Sequence, residues 1–326
     1  MFILDKSMVA KPFLKWAGGK GQLIEQMNSL FPQELAEGSI KKYIEPFVGG
    51  GAVFLHLVQN YPVEEFFIFD INIELVIAYT TIQRDVEKLI SLLLNIQNKY
   101  LSLDDKERKT YFYQVRSEFN WRRKEIDSIN YNSEWIERTA QIIFLNRTCF
   151  NGLFRVNSNG SFNVPVGRYK NPNICDKTNL KAVSEALQKT QIHYGDFSEC
   201  EKYVDSNTFV YFDPPYRPIS KTSNFTSYSQ NMFGDSEQLR LRDFFQSLDA
   251  KGAKLLLSNS DPKNEDINDN FFDNSYAGYR IERVMASRNI NCNVSKRKAI
   301  KEILIMNYIS GANKILTTSS NSSVTR

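Results

Sequence analysis

The stretch "YIEPFVGGGAVF", Tyr43 to Phe54, runs from aromatic and β-branched residues through three consecutive glycines into a second apolar segment. An apolar run closed by glycine reads as a buried strand, and the segment beyond it as a helix whose first turn carries unpaired N–H groups. Glycines at that junction let a ligand approach the backbone closely, and the helix N-terminus favours an anion. Working outward, "FFIFD" (66–70), "TFVYFD" (208–213), "KLLLSN" (254–259) and "EILIMNY" (302–308) read as further buried strands. A helix is predicted from Asn72 to Gln83, with Asn72 as its amino cap. Alternation of strand and helix predicts an α/β fold with a mostly parallel sheet covered on both faces.

The middle of the chain differs. Residues 85–148 are charged and of helical character, and "FRVNSNGSFNVPV" (154–166) reads as a β-hairpin turning at Asn159-Gly160. The α/β domain is therefore expected to be interrupted by an inserted module. After Ile309 the tail "TTSSNSSVT" lacks an apolar pattern, and disorder is expected over 310–326.

With 326 residues, 42% of them hydrophobic and 24% charged, the chain has the balance of a globular protein with a large core. No apolar run approaches the length of a membrane span, and the amino terminus does not read as a signal peptide, so a cytoplasmic protein without a membrane partner is expected. Cys149, Cys175, Cys200 and Cys292 stand far apart, and His56 and His193 are the only histidines. These spacings suggest neither a metal site nor a disulfide framework.

A net charge of +4 announces no partner, but its distribution is informative. From Gln141 to Cys175 there is no acid, while Arg147, Arg155, Arg168 and Lys170 alternate with Phe144, Phe150, Phe154, Phe162 and Tyr169 and with seven asparagines. Cations for phosphates, amides for base edges and rings for stacking are what a DNA reader needs. A second acid-free run, Arg288 to Lys301, includes Lys296, Arg297 and Lys298, and is a candidate phosphate clamp.

"FLKWAGGKGQ" (13–22) looks at first like a phosphate loop, but Lys20 is followed by Gly21 rather than a hydroxyl residue and the first glycine is missing. Asp70 ends the strand that follows the glycines, about 20 residues beyond them, the spacing at which an acid takes the hydroxyls of a ribose. That pairing alone leaves several nucleoside cofactors open, a nicotinamide among them.

"YFDPPY" (211–216) narrows the choice. Two prolines after a strand hold the backbone extended and contribute no N–H of their own. An exocyclic NH2 held between the Asp213 carboxylate and the Pro214 carbonyl donates both hydrogens, and its lone pair is freed to attack a methyl sulfonium in line. Pro215 extends the rigid turn, and Tyr216 can stack on a base turned out of the duplex. A nicotinamide-dependent oxidoreductase would leave these residues unexplained. A cytosine-C5 methyltransferase needs a cysteine nucleophile in a strand-end motif, which is lacking. A cytosine-N4 methyltransferase stays open, since it also acts on an exocyclic amine.

The motifs "FLKWAGGK", "EPFVGGGAVF", "FNGLFRVNSNGSFNVPVGRYK", "GDF" (195–197) and "YFDPPY" follow one another in an order that resembles the Dam-like DNA adenine-N6 methyltransferases, including methylases of GATC-specific restriction-modification systems. The similarity runs from about Lys11 to Tyr308. It implies a Rossmann-like S-adenosylmethionine-dependent fold, with a catalytic and cofactor-binding domain over 1–84 and 176–309 and a mainly helical DNA target-recognition module over 85–175. It further implies that Trp16, Lys20, Phe47 and Gly49 contact the cofactor S-adenosylmethionine. In the same way Asp70 would take its ribose, Asp196 with Phe197 would flank its adenine, and Asp213 would touch both its methionine part and the target amine. On the DNA side, Phe150, Asn151, Leu153 and Arg155 would probe the target base pairs, with Arg155 on guanine, while Lys15 would touch the outer guanine and Tyr169 would lie near the duplex. Double-stranded DNA is the implied partner. A restriction endonuclease sharing the site would be a cognate activity rather than a stable complex.

Overall fold

A computed structural model of the protein describes residues 9–217, 233–286 and 300–309. Seven strands are present among them: β1 (Lys42–Glu45), β2 (Glu65–Asp70), β3 (Thr190–Tyr194), β4 (Thr208–Phe212), β5 (Lys254–Ser260), β6 (Arg280–Ala286) and β7 (Ile300–Met306). They form one sheet in the order β3-β2-β1-β4-β5-β7-β6. β1 pairs in parallel with β2 and β4, and β4 with β5, whereas β7 runs antiparallel to both β5 and β6. The five expected strands are all present. Their central residues, among them Tyr43, Ile44, Phe209 to Phe212 and Leu255 to Leu257, are fully buried, as a sheet covered on both faces requires.

β3 and β6 were not expected from the sequence. Both are edge strands. In "TQIHY" only Thr190 is buried, and "RIERVMA" carries Arg280, Glu282 and Arg283, so neither has the continuous apolar run of a central strand.

Helices are α1 (Ile24–Asn28), α2 (Gln33–Ala36), α3 (Ala52–Asn60), α4 (Ile73–Ser102), α5 (Asp105–Arg122), α6 (Glu134–Thr148), α7 (Lys177–Ala186), α8 (Asp235–Ala250) and α9 (Phe271–Ser275). α4 starts where expected, with the Asn72 side chain accepting from the Glu74 N–H, but it continues well past Gln83 through a kink at Asp85. None of the described helices is long and apolar enough to cross a membrane.

The chain divides into two compact units. The first comprises 1–19, 48–59 and 69–195. Within it α4 and α6 pack around a buried ion pair, Arg138 with Glu74, and the Arg138 guanidinium also lies 3.5 Å from the centre of the Phe119 ring. A charge this deep is tolerable only because it is paired and hydrogen-bonded. The expected hairpin appears as an antiparallel turn: Asn157 N–H donates to Ser161 O, Asn163 N–H to Arg155 O and Gly160 N–H to Asn157 O. It has a single β-bridge, Val156 with Phe162, and no full strand.

The second unit comprises 20–47, 60–68 and 196–326. It holds β1, β4 to β7 and most of β2. Because β1 lies between β2 and β4, the chain order reverses beside β1, and ligands of open α/β sheets bind at the carboxyl ends of strands flanking such a reversal. Asp213 leaves β4 at that place.

Candidate active site

In the second unit, β4 is buried along its whole length and so fixes the residue that follows it. Asp213 Oδ1 forms an ion pair with Lys20 Nζ at 2.7 Å and accepts a hydrogen bond from Ser258 Oγ at 3.0 Å. Ser258 is in turn hydrogen-bonded to the Tyr211 hydroxyl at 2.8 Å. Lys20 also donates to the Tyr216 hydroxyl at 2.8 Å and faces Glu302 Oε2 at 3.6 Å. Burial works against the Lys20 charge, but Asp213, with help from Tyr211, Tyr216 and Glu302, outweighs it, and the ammonium is held well above the usual lysine range. Burial raises the Tyr211 and Tyr216 phenols, with the Asp213 charge adding to it and Lys20 opposing, so both hydroxyls stay protonated. The turn after Asp213 is braced from α8: Gln238 Nε2 donates to the Pro215 carbonyl at 3.0 Å.

An aromatic cluster in the same unit contains Phe47, Phe197, Phe233 and Phe244, with Phe197 centred 5.4 Å from Phe47 and 5.5 Å from Phe244. Asp196 opens the short helical turn Phe197–Tyr203 through a capping box with Glu199. Its carboxylate is gripped by Arg240 Nη1 and Nη2 at 2.9 and 2.8 Å, and Arg240 lies over the Phe197 ring at 4.0 Å. The Arg240 hydrogen bonds, against the opposing effect of burial, hold the Asp196 carboxyl well below the usual carboxylate range.

In the first unit, Asp70 is held by backbone alone: Gly49 N–H donates to Oδ2 at 2.9 Å and Asn72 N–H to Oδ1 at 2.8 Å. Burial pushes its carboxyl up to about 6, against these N–H groups. Gly51 has φ +69°, and a Cβ there would stand 2.4 Å from the Tyr79 hydroxyl, so the third glycine of the opening stretch is required by both backbone and space. Gly49 has φ +48° and lies against the Trp16 ring, 3.0 Å from where a Cβ would be.

Also in the first unit, the segment carrying Lys15 and Trp16 docks on α6 and the turn beyond it. The Asn146 side chain accepts from Lys15 N–H at 2.9 Å and donates to the carbonyls of Lys15 and Gly152. Trp16 stacks on Phe154 with ring centres 5.0 Å apart, and Lys15 Nζ lies 5.3 Å from the Tyr169 ring centre. Phe150, Arg155 and Tyr169 are exposed, while Leu153 is half-buried. Arg155 Nε donates to Asn163 Oδ1 at 2.8 Å, across the turn. Asn151 has φ +57° and is, among the described residues, the one non-glycine in the left-handed region. It therefore has a turn-forming role of its own. Lys296, Arg297 and Lys298 lie outside the described residues.

Of the residues singled out in the sequence, the structure brings Asp213, Tyr216 and Lys20 together in the second unit, and Asp70, Gly49 and Trp16 together in the first. Ser258, Gln238, Arg240 and Glu302 were not singled out from the sequence. The polar "SNS" closing an otherwise apolar strand was a visible signal for Ser258; for the others the chain offers none.

A mostly parallel sheet with an aspartate following β4 at the reversal of strand order, beside a buried lysine and a serine, is the arrangement of an α/β fold that binds its ligand at the carboxyl ends of its strands. The family described as D12 class N6 adenine-specific DNA methyltransferase matches residues 16–290. The chain is 51% identical over 302 residues to "Type II methyltransferase M.MjaIII" of Methanocaldococcus jannaschii, covering 92% of this chain and 100% of that protein. It is 40% identical to "Type II methyltransferase M1.LlaDCHI" of Lactococcus lactis subsp. cremoris (94% of this chain, 99% of that one) and 34% identical to a "DNA adenine methylase" of Haemophilus influenzae (92% and 95%). The chain belongs to the D12 class of N6 adenine-specific DNA methyltransferases. It is an enzyme whose substrate is DNA and whose target is an adenine, which sets aside the nicotinamide and cytosine-N4 alternatives.

Proposed function

We propose that the enzyme transfers a methyl group from S-adenosylmethionine to the exocyclic amine of an adenine turned out of the duplex, within GATC. The observation that carries this reading is Asp213, anchored through one oxygen by Lys20 and Ser258 at the end of a fully buried strand and followed by two prolines. A carboxylate tethered through Oδ1 is pre-oriented to accept from an amine through its remaining capacity, which is what an attacking lone pair needs. Tyr216, its hydroxyl tied to Lys20 and its ring centre 4.8 Å from the same ammonium, would serve as the stacking surface for the extruded base.

The donor set fits a nucleoside sulfonium. When bound, that cofactor supplies an electrophilic methyl group. On the protein side, Asp70 would accept from ribose hydroxyls, since each of its oxygens takes one backbone N–H and has a lone pair to spare. Phe47, half-buried, would offer apolar surface for an adenine, with the buried Phe197 ring packed against it next to Asp196. Trp16, Lys20 and Gly49 complete the proposed contacts. Pro214 would supply the second acceptor for the target amine, with Pro215 and Tyr216 keeping the turn rigid.

We assign 85–175 to DNA target recognition and 1–84 with 176–309 to catalysis and cofactor binding; the tail 310–326 lies outside the described residues. Lys15, Phe150, Asn151, Leu153, Arg155 and Tyr169 are the proposed DNA contacts, supported by the exposure of Phe150, Arg155 and Tyr169, with Lys296, Arg297 and Lys298 as phosphate contacts. GATC rests on the likeness of "FNGLFRVNSNGSFNVPVGRYK" to its counterparts in GATC methylases. Two relatives carry type II names, which favours a cognate endonuclease acting on the same site in the cytoplasm.

The test is methylation of a GATC duplex and of its single-pair variants with labelled cofactor. Label should appear on N6 of the GATC adenine, and Arg155→Ala should lower the GATC rate about 5- to 150-fold while barely changing the rate on duplexes that already lack the guanine it reads. Equal losses on every duplex would assign Arg155 to a phosphate instead.

A further inference from the structure

We propose that Glu302 is a positioning residue for methyl transfer: it shares the charge of Lys20, so that Asp213 keeps its own charge available to the substrate amine. This inference rests on Asp213 being the acceptor of that amine.

Lys20 is 3% exposed, and its charge is balanced by protein groups rather than by water. Were Asp213 the sole carboxylate beside it, the two would form a neutral pair, and an acceptor already committed to an ammonium at 2.7 Å is a weaker acceptor for another N–H. Glu302 changes that balance. Its Oε2 stands 3.6 Å from Lys20 Nζ, receives no hydrogen bond from the described residues and is buried. A carboxylate oxygen left without a donor in a strand of isoleucine, leucine and methionine is costly. Its orientation toward Lys20 is the compensation the structure provides. The resulting triad of one ammonium and two carboxylates carries a net negative charge.

Methyl transfer makes use of that charge. As the amine nitrogen forms its bond to the methyl carbon, the carbon–sulfur bond breaks and its electron pair stays on sulfur. Positive charge thereby moves from sulfur to the amine, which then loses a proton to solvent. A negative triad favours charge arriving at the amine, whereas a neutral lysine–aspartate pair does so far less.

The sheet register brings the parts together. Glu302 on β7 lies opposite Ser260 on β5, and residues directly opposite share a face, as do Ser260 and Ser258 two positions apart. One strand pair therefore delivers both the serine that holds Asp213 and the glutamate that faces its lysine.

The experiment compares Glu302→Gln, Glu302→Asp and Asp213→Asn with the unaltered enzyme. It reads the single-turnover methylation rate at saturating DNA and cofactor, cofactor affinity by calorimetry, and Tm. Glu302→Gln should slow the chemical step on the order of 10- to 100-fold, with cofactor affinity and Tm near those of the unaltered enzyme. Glu302→Asp, which keeps the charge, should retain more rate than Glu302→Gln. An unchanged rate in Glu302→Gln alongside an inactive Asp213→Asn would overturn the inference while leaving the role of Asp213 intact. So would equal rates for the two Glu302 variants, or affinity or Tm falling in step with the rate, which would mark a cofactor contact or a structural brace. Full turnover by Asp213→Asn would remove the assignment of Asp213 and this inference with it.

Discussion

Asp70 ends β2 and Asp213 follows β4, yet their carboxylates are held by different physics. Asp70 in the first unit is held by the N–H groups of Gly49 and Asn72, which carry only partial charge, and burial raises its carboxyl to about 6. Asp213 in the second unit is held by a full ammonium and a hydroxyl. Asp196, a third acid of this kind, is gripped by a guanidinium and its carboxyl is depressed. Burial makes the charge of Asp70 costly among these dipoles, whereas the guanidinium beside Asp196 favours its charge. Under the proposed function Asp70 would take ribose hydroxyls and Asp213 would accept from the attacking amine.

The largest expected effect sharpens this contrast at the level of chemistry. Asp213→Asn should lower the single-turnover rate by on the order of 10³ or more, since it replaces the ionised acceptor with a neutral one. Asp70→Asn should instead act on binding, weakening cofactor affinity by about 10- to 100-fold with a smaller effect on the rate at saturation. Parallel rate and affinity profiles, together with the Kd for cofactor alone, would show whether the two acids divide the work; similar losses of rate in both variants would break the comparison.

A smaller effect follows from pH. If the ionised form of Asp70 takes the ribose, cofactor affinity should fall about tenfold between pH 7 and pH 5, as the carboxyl protonates through about 6. Calorimetric titrations at several pH values would reveal this, and the Asp70→Asn variant should give a flat profile over the same range. A profile that stays sloped in the variant would move the dependence to another group.

The smallest effect is on stability, and the two kinds of carboxylate should show opposite signs. Asp70 is raised above its ordinary 3.8, so protonation favours the folded chain: its contribution is complete below about 4 and is lost as pH rises through about 6. It amounts to no more than about 3 kcal/mol. Asp196 is depressed, so its contribution is present above about 4 and is lost as pH falls below that. Its partial exposure makes this the weaker of the two. Denaturant unfolding of Asp70→Asn and Asp196→Asn, each subtracted from the parent at matched pH, should slope in opposite directions and in different windows. Two difference curves of one sign would show that the surroundings of the two acids are not as distinct as their partners indicate.

What the amino-acid sequence by itself determined is whatever depends on neighbours along the chain. Apolar runs that must be buried on both faces mark β1, β2, β4, β5 and β7, and the Tyr43–Phe54 stretch marks a strand, a glycine turn and a helix because only glycine tolerates φ +69° beneath the Tyr79 hydroxyl. "DPPY" announces its rigid turn for the same local reason. The tertiary structure decided what depends on residues distant in sequence. Edge strands β3 and β6 were hidden because a strand paired on one side needs no continuous apolar pattern. The partners of the strand-end acids were hidden too, since Lys20, Ser258 and Glu302 come from a short 3-10 turn (Lys20–Gln22), β5 and β7, and Arg240 from α8. Nothing in chain spacing encodes which of many lysines, serines and glutamates will meet a given aspartate. The order and register of the strands settle it, because they alone determine which side chains share a face of the sheet.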